Sequence, residues 1–138
     1  MTSYLDASCL LRRLIGDGPA LESPERWERS FVSEIARVEV ARTLARVESE
    51  RKLTGDRLAT ALRGLAEMEA ALQWVPITES IILLASGPLP TVIKALDAIH
   101  LATAIAVRDA GASDLVFATH DRRQATAAAA MGFEVVGV

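Results

Sequence analysis

Residues 115–121 read LVFATHD, which is four apolar residues followed by a threonine, a histidine and an aspartate. A short apolar run without polar alternation is typical of a strand buried on both faces, as in a parallel sheet. Residues 3–6, SYLD, show the same arrangement near the start of the chain. In open α/β sheets, ligands bind beyond the carboxyl ends of the strands. The sequence therefore predicts that Asp6 and Asp121 lie at the same functional edge of one sheet.

Strand-like and helix-like segments alternate along the whole chain, which indicates an α/β fold with a mostly parallel sheet. Hydroxyl residues Ser8, Ser33 and Thr78 are predicted to cap helices. A short helix over residues 24–29 is expected from the order Ser-Pro-Glu at its start. The remaining predicted strands are residues 31–32, 74–77, 115–118 and 134–138, and the remaining long helices are 33–52, 56–72, 93–110 and 122–131.

Composition places the chain among compact proteins with a sizeable core. Its 138 residues are 51% hydrophobic, which predicts one domain over residues 1–138. The net charge of −3 excludes a generally basic nucleic-acid coat but leaves room for local basic patches, and seven of the fifteen basic residues fall in residues 37–63. A single cysteine, Cys9, cannot form an internal disulfide. With no signal peptide and no apolar stretch of about 20 residues, the expected location is the cytoplasm, without membrane contact.

Two further acids, Glu39 and Asp97, interrupt apolar helical segments. A carboxylate in such a setting is costly to bury unless it is paired or holds a metal ion. Together with Asp6 and Asp121, these residues offer four hard oxygen ligands, the donor type that Mg²⁺ and Mn²⁺ prefer. This combination predicts a divalent-metal site of the kind that cleaves phosphodiester bonds.

Each acid also has a purely structural explanation when it is considered alone. Asp6 and Asp121 are well placed to cap the helices that follow them. Glu39 could pair with Arg42 or Arg46 on the same helical face. Asp97 could lie on an exposed face of its helix.

The order and setting of the four acids are more specific than any one of them. The chain contains YLDAS at residues 4–8, RVEV at 37–40, LDAIHLATA at 96–104 and THDRR at 119–123. In this order the stretches resemble the signatures of PIN-domain ribonucleases, most closely VapC-type toxins of toxin–antitoxin pairs. The resemblance extends from Tyr4 to the ending GFEV at residues 132–135. Its main departure is residues 18–30, where the usual second helix is not evident.

The resemblance implies a PIN-like three-layer α/β/α fold, with acidic side chains gathered around divalent metal at the carboxyl edge of a parallel sheet. It implies an endoribonuclease in which Asp6 is the central ligand, Asp97 and Asp121 complete the metal site, and Glu39 binds directly or through water. The metal would be Mg²⁺ or Mn²⁺, and the substrate would be single-stranded or looped RNA. The implied partners are a VapB-like antitoxin and a second copy of the chain in a homodimer.

Several neighbouring residues are weaker candidates. Thr119 could contact a metal-bound water or a phosphate, and Ser8 could do the same, although capping is the simpler explanation for its hydroxyl. Arg42 shares a helical face with Glu39 and is the best single candidate for an RNA-phosphate contact. His100 follows Asp97 by one turn and is expected to pack or to hydrogen-bond locally. On the helix that carries Glu39, Val40, Leu44 and Val47 could belong to the core or form a contact with a partner.

Other functions fit the sequence less well. A signalling receiver domain also gathers acids at strand ends, but it needs a late lysine, and the only lysines here are Lys52 and Lys94. An Asp-x-Asp phosphatase is excluded because Ser8 stands where the second aspartate is required. A PIN-domain nuclease of RNA processing, and a PIN fold retained only for binding, remain alternatives to the toxin.

Overall fold

The computed structural model of the chain describes residues 1–16 and 29–138. In these residues, strands and helices alternate along most of the chain. The strands are β1 (Thr2–Leu5), β2 (Arg29–Ser33), β3 (Gln73–Val75), β4 (Val116–Ala118) and β5 (Glu134–Val136). The helices are α1 (Ala7–Ile15), α2 (Ile35–Ser49), α3 (Gly55–Ala71), α4 (Glu79–Ser86), α5 (Ala95–Asp109) and α6 (Arg122–Ala130).

The strands form one parallel sheet in the order β3-β2-β1-β4-β5. The chain starts at the central strand, builds outward through β2 and β3, and then crosses back to β4 on the other side of β1. In the register of the sheet, Leu5 pairs with Val32 on one side and with Ala118 on the other. The strand order therefore reverses between β1 and β4, and the crevice beyond their carboxyl ends is the position where such sheets bind ligands.

A hydrophobic cluster covers each face of the sheet, because alternate strand residues point to opposite sides. One cluster contains Tyr4 and Phe117 together with buried residues of α5 and α6. The other contains Val32 with buried residues of α1, α2 and α3. This is the predicted three-layer α/β/α arrangement. Within the described ranges, no helix is long and apolar enough to cross a membrane.

Most predicted elements are present with small differences in their bounds. β2 is longer than predicted, because Arg29 and Ser30 extend the pairing with β1. The helix predicted over residues 24–29 lies outside the described residues except for Arg29, which is in β2 rather than in a helix. Thr78 caps α4 as predicted, accepting a hydrogen bond from the Ile81 backbone N–H.

The structure corrects one sequence-based interpretation and decides between two alternatives left open by another. Ser8 does not cap α1, because Asp6 occupies the N-cap position and Ser8 lies inside the helix. The apolar face of α2 is not left free for a partner. Val40 and Leu44 are buried, and Val47 packs against the same cluster. The reason is that α1 packs against both α2 and α3, and buried residues of the three helices form one cluster on this side of the sheet.

Candidate active site

The carboxyl ends of β1 and β4 bring Asp6 and Thr119 together. Asp6 follows β1 directly, and its backbone N–H donates to the Ala118 carbonyl at 3.0 Å. Thr119 follows β4, and its backbone N–H donates to the Val136 carbonyl at 3.0 Å. The sheet ladder thus continues for one residue beyond the strands, and this fixes both side chains at the predicted edge.

The Asp6 carboxylate is buried and is held by two hydroxyl groups. Thr119 Oγ1 donates to Asp6 Oδ2 at 2.6 Å, and Ser8 Oγ donates to the same oxygen at 3.1 Å. The other oxygen, Oδ1, lies 3.8 Å from His100 Nε2. Because both hydroxyl bonds fall on Oδ2, Oδ1 keeps most of its capacity to accept another ligand.

Glu39 is fixed by a histidine from another helix. His100 Nε2 donates to Glu39 Oε1 at 2.6 Å, and the other ring nitrogen, Nδ1, is 2.7 Å from the Tyr4 hydroxyl. Burial alone would lower the pKa of His100. The hydrogen bond to Glu39 and the charge of Asp6 outweigh burial, so the pKa is raised. Burial and the charge of Asp6 also raise the pKa of Tyr4 well above its usual value, which keeps the phenol protonated.

Asp97 lies in the first turn of α5 and is partly buried. Its pKa is raised, first by burial and then by the charges of Asp6 and Asp121, with a smaller effect of Glu39. Repulsion between like charges has this effect on a carboxyl group. The electrostatic field of the site therefore reaches all four predicted acids, although they come from distant parts of the sequence.

Asp121 is the most exposed of the four acids. Its Oδ1 accepts from the backbone N–H groups of Arg123 and Gln124, so it caps α6 as the structural explanation predicts. Its own backbone N–H donates to Thr119 Oγ1 at 3.0 Å. The cap uses Oδ1 alone and leaves Oδ2 available to a ligand.

The charges of the four carboxylates affect one another, but the side chains do not converge on one point. In residues 1–16 and 29–138, no three His, Cys, Asp or Glu side chains stand close enough together to hold a metal ion. Asp6, Glu39 and Asp121 are each held by separate hydrogen bonds. The donors nevertheless fit a divalent cation in type and charge. They are hard oxygens whose mutual repulsion, seen in the raised pKa of Asp97, a cation would relieve.

The structure also locates the weaker candidates. Thr119 is fully buried and its hydroxyl is engaged with Asp6, while the Ser8 hydroxyl joins Asp6 to the backbone N–H of His120. Both side chains orient Asp6, and a direct contact with water or phosphate stays a prediction. Arg42 is exposed on α2, where its contact with RNA likewise stays a prediction.

The sequence-based reasoning missed the role of His100. It predicted local packing or local hydrogen bonding, whereas the ring bonds to Glu39 and Tyr4, which are 61 and 96 positions away. Among the described residues, Glu39 forms no ion pair with Arg42 or Arg46, which was the alternative explanation of this acid. The sequence did contain one signal for a role in the site. His100 follows Asp97 by three positions, so both side chains lie on the same face of α5.

Comparison with known sequences shows the family of the chain. The PIN domain family matches residues 3–130. Ribonuclease VapC45 of Mycobacterium tuberculosis (strain CDC 1551 / Oshkosh) is 34% identical over 137 residues, covering 96% of this chain and 92% of that protein. Ribonuclease VapC49 of the same species (strain ATCC 25618 / H37Rv) gives the same identity and coverage.

Solved structures share the fold at low sequence identity. VapBC2 from Rickettsia felis, bound to a DNA fragment from its promoter, aligns with a TM-score of 0.66 at 12% identity, over 99% of this chain and 98% of that one. PAE2754 from Pyrobaculum aerophilum aligns with a TM-score of 0.58 at 18% identity, over 99% and 84%. From its sequence match and its fold, the chain belongs to the PIN-domain family, and its curated relatives are of the VapC type.

Proposed function

We propose that this chain is a Mg²⁺- or Mn²⁺-dependent endoribonuclease and the toxin of a type II toxin–antitoxin pair. The observation that carries the proposal is the placement of Asp6 and Asp121 beyond the carboxyl ends of β1 and β4, where Thr119 bonds to both, close enough to Asp97 that their charges contribute to its raised pKa. Like charges placed together at the switch point of a parallel sheet repel one another and lower the stability of the fold. Such an arrangement is typical of a functional site. The two curated relatives are named ribonucleases, which supports RNA as the substrate.

Asp6, Asp97 and Asp121 would hold the ion, and Glu39 would complete the set directly or through water. When bound, the ion supplies Lewis-acid chemistry, which activates water and neutralises charge at the phosphate. Oδ1 of Asp6 and Oδ2 of Asp121 accept none of the hydrogen bonds described above, and they are the atoms suited to this role.

The chain's own residues orient these ligands. Thr119 and Ser8 hold Asp6 through Oδ2, so the carboxylate cannot rotate freely about its Cβ–Cγ bond. His100 holds Glu39 in the same way from the opposite helix. Groups fixed before the substrate arrives need no reorganisation during the reaction, and this is a main source of catalytic rate.

The test compares the wild-type chain with Asp97→Asn. Purified wild-type protein is expected to cleave RNA when Mg²⁺ or Mn²⁺ is added, and its induction in bacteria should arrest growth. The Asn variant, of nearly the same size, should do neither, while remaining folded by circular dichroism. Growth arrest that persists in the variant would overturn the assignment of the site.

The alternatives give different outcomes in the same experiment. RNA cleavage without growth arrest would indicate a PIN-domain nuclease of RNA processing. Binding of RNA without cleavage, in the presence of either metal, would indicate a PIN fold that serves only as a binding module.

For partners, we propose a VapB-like antitoxin and a second copy of this chain. The R. felis neighbour is a VapBC complex, which supports the antitoxin. For the dimer, the strongest support is α4, where Ile82, Leu83 and Leu84 are all exposed. Such a run of apolar side chains on a surface is typical of a contact with another protein. We propose the cytoplasm as the compartment, since Cys9 is a free cysteine and RNA is available there.

A further inference from the structure

An open cavity of about 910 Å³ includes Asp121 in its wall and is lined largely by residues of four helices. Each of these helices contributes one arginine to its wall. They are Arg12 of α1, Arg46 of α2, Arg57 of α3 and Arg122 of α6. We call this space the basic cavity, and we call the four predicted acids, Asp6, Glu39, Asp97 and Asp121, the carboxylate cluster. Four arginines from separate parts of the sequence meet here only because of the fold.

The basic cavity is positive in a chain that is negative overall. Its lining holds five basic side chains, the four arginines and Lys52, against two acidic ones, Glu50 and Asp121. Lys52 is already paired with Glu50 at 2.7 Å. Among the described residues, none of the four arginines is within ion-pair distance of a carboxylate. The described lining therefore carries a surplus of three positive charges, although the Arg57 guanidinium also donates to the Ile15 carbonyl at 3.5 Å.

The basic cavity shares a wall with the carboxylate cluster. Asp121 and Ser8 both line it, and the Ser8 hydroxyl donates to Asp6 Oδ2. A ligand that fills the cavity therefore ends next to Asp6. None of the described residues that line the cavity is a phenylalanine, tyrosine or tryptophan. The described lining therefore favours contacts with the backbone of a nucleic acid over stacking of its bases.

We propose that the basic cavity binds backbone phosphates of single-stranded RNA next to the phosphate that is cleaved. This inference rests on the proposed function. Four carboxylates repel a polyanion, so the attraction that brings RNA to them must come from positive charge close by. The planar guanidinium of arginine donates two parallel hydrogen bonds to a phosphate, and the cavity offers four such groups.

The position of the basic cavity also changes which arginine of α2 is the better candidate for a phosphate contact. Arg46 lines the cavity, whereas Arg42, one turn earlier, does not. Arg57 comes from α3, a helix that carries none of the four acids. The phosphate contacts nearest the site are therefore assigned to Arg12, Arg46, Arg57 and Arg122.

The test measures binding of a fluorescently labelled oligouridine RNA by anisotropy, with EDTA present so that no cleavage occurs. The double variant Arg46→Ala/Arg57→Ala is compared with the wild-type chain. Its matched control is Arg13→Ala/Arg63→Ala, which removes the same charge from exposed positions outside the cavity. Because Arg46 and Arg57 are exposed as well, all variants should fold, which circular dichroism checks.

The cavity variant is expected to bind RNA at least about tenfold more weakly than wild type, because charge-assisted hydrogen bonds to phosphate are lost. The slope of log affinity against log salt should fall by about 1.4, since each phosphate contact on a single strand contributes about 0.7. Arg46→Lys/Arg57→Lys should keep most of that slope. The control variant should change both quantities much less.

An equal loss of RNA affinity in the cavity variant and in its control would overturn the proposal, because it would show a general effect of net charge. Unchanged RNA binding in the cavity variant would also overturn it. If that variant instead lost binding to the antitoxin, the cavity would be a protein-binding site. Failure of the proposed function is seen separately, as absence of RNA cleavage by the wild-type chain with metal.

Discussion

His100 Nε2 lies 2.6 Å from Glu39 Oε1 and joins α5 to α2 across the carboxylate cluster. The histidine is completely buried, and Tyr4 holds its other ring nitrogen. The orientation of Glu39 therefore depends on a chain of two hydrogen bonds that begins in the hydrophobic core. Changes to Tyr4, far from solvent, should reach the site through this chain.

Tyr4→Phe removes only the hydroxyl at the start of that chain. It leaves the buried Nδ1 of His100 without its partner, which should lower the free energy of unfolding by about 1–3 kcal/mol. RNA cleavage should also slow, because the ring that orients Glu39 is less well fixed. Urea unfolding and single-turnover cleavage measure the two effects. A variant as stable and as active as wild type would show that the Tyr4–His100 bond has no role.

Thr119→Val tests the hydroxyl that orients Asp6. The two side chains have the same shape, but valine cannot donate to Asp6 Oδ2 or accept from the Asp121 backbone N–H. The Asp121 N–H is left without its partner, which costs about 1–3 kcal/mol, while Asp6 Oδ2 keeps only the bond from Ser8, so the variant should be clearly less stable. Thr119→Ser keeps the hydroxyl and is the matched control. If urea unfolding showed the serine variant to be as destabilised as the valine variant, packing rather than the hydrogen bond would be responsible.

Asp97→Asn should stabilise the metal-free protein at neutral pH. The pKa of Asp97 is raised in the folded state, mainly by burial and by Asp6, so the folded chain holds this proton to a higher pH than the unfolded chain does. Stability from this group is therefore lost as the pH rises from about 4 through the raised pKa. His100 titrates in both proteins, so its contribution largely cancels in the comparison.

Urea unfolding in EDTA measures this difference. The Asn variant should be more stable than wild type at pH 7, and the difference should shrink as the pH falls toward 4. Added Mn²⁺ should then stabilise the wild-type chain more than the variant, since a ligand that binds only the folded state raises its stability. An Asn variant that is less stable than wild type in EDTA would contradict the repulsion between these acids.

The sequence predicted the parts of the site that depend on strand ends. Asp6 and Asp121 follow short apolar runs, and the geometry of parallel sheets places the residues after such runs at one edge. Ser8 was assigned wrongly as a cap because Asp6, two positions earlier, takes the N-cap position. A local pattern could not decide between two neighbouring residues that are both suited to the same role.

Contacts between distant helices could not be predicted in this way. The bond between Glu39 and His100 depends on how α2 and α5 pack, which no local spacing specifies. The same is true of the basic cavity, whose arginines come from four helices. Periodicity did mark Val40 and Leu44 as one face of α2. It could not say whether that face was core or surface, because this depends on the placement of α1 and α3.

Leu83→Glu tests the proposed dimer. Leu83 is 66% exposed on α4, so a charge there should leave the fold intact but should be strongly unfavourable inside an apolar contact between two chains. Size-exclusion chromatography with light scattering should show a dimer for wild type and a monomer for the variant. Leu62→Glu, on α3 at 51% exposure, is the matched control and should remain dimeric. A monomeric wild-type chain, or a Leu83→Glu variant that still dimerises, would show that α4 is not the contact. Because the basic cavity is formed by α1, α2, α3 and α6, the monomeric variant should still bind RNA with wild-type affinity per chain.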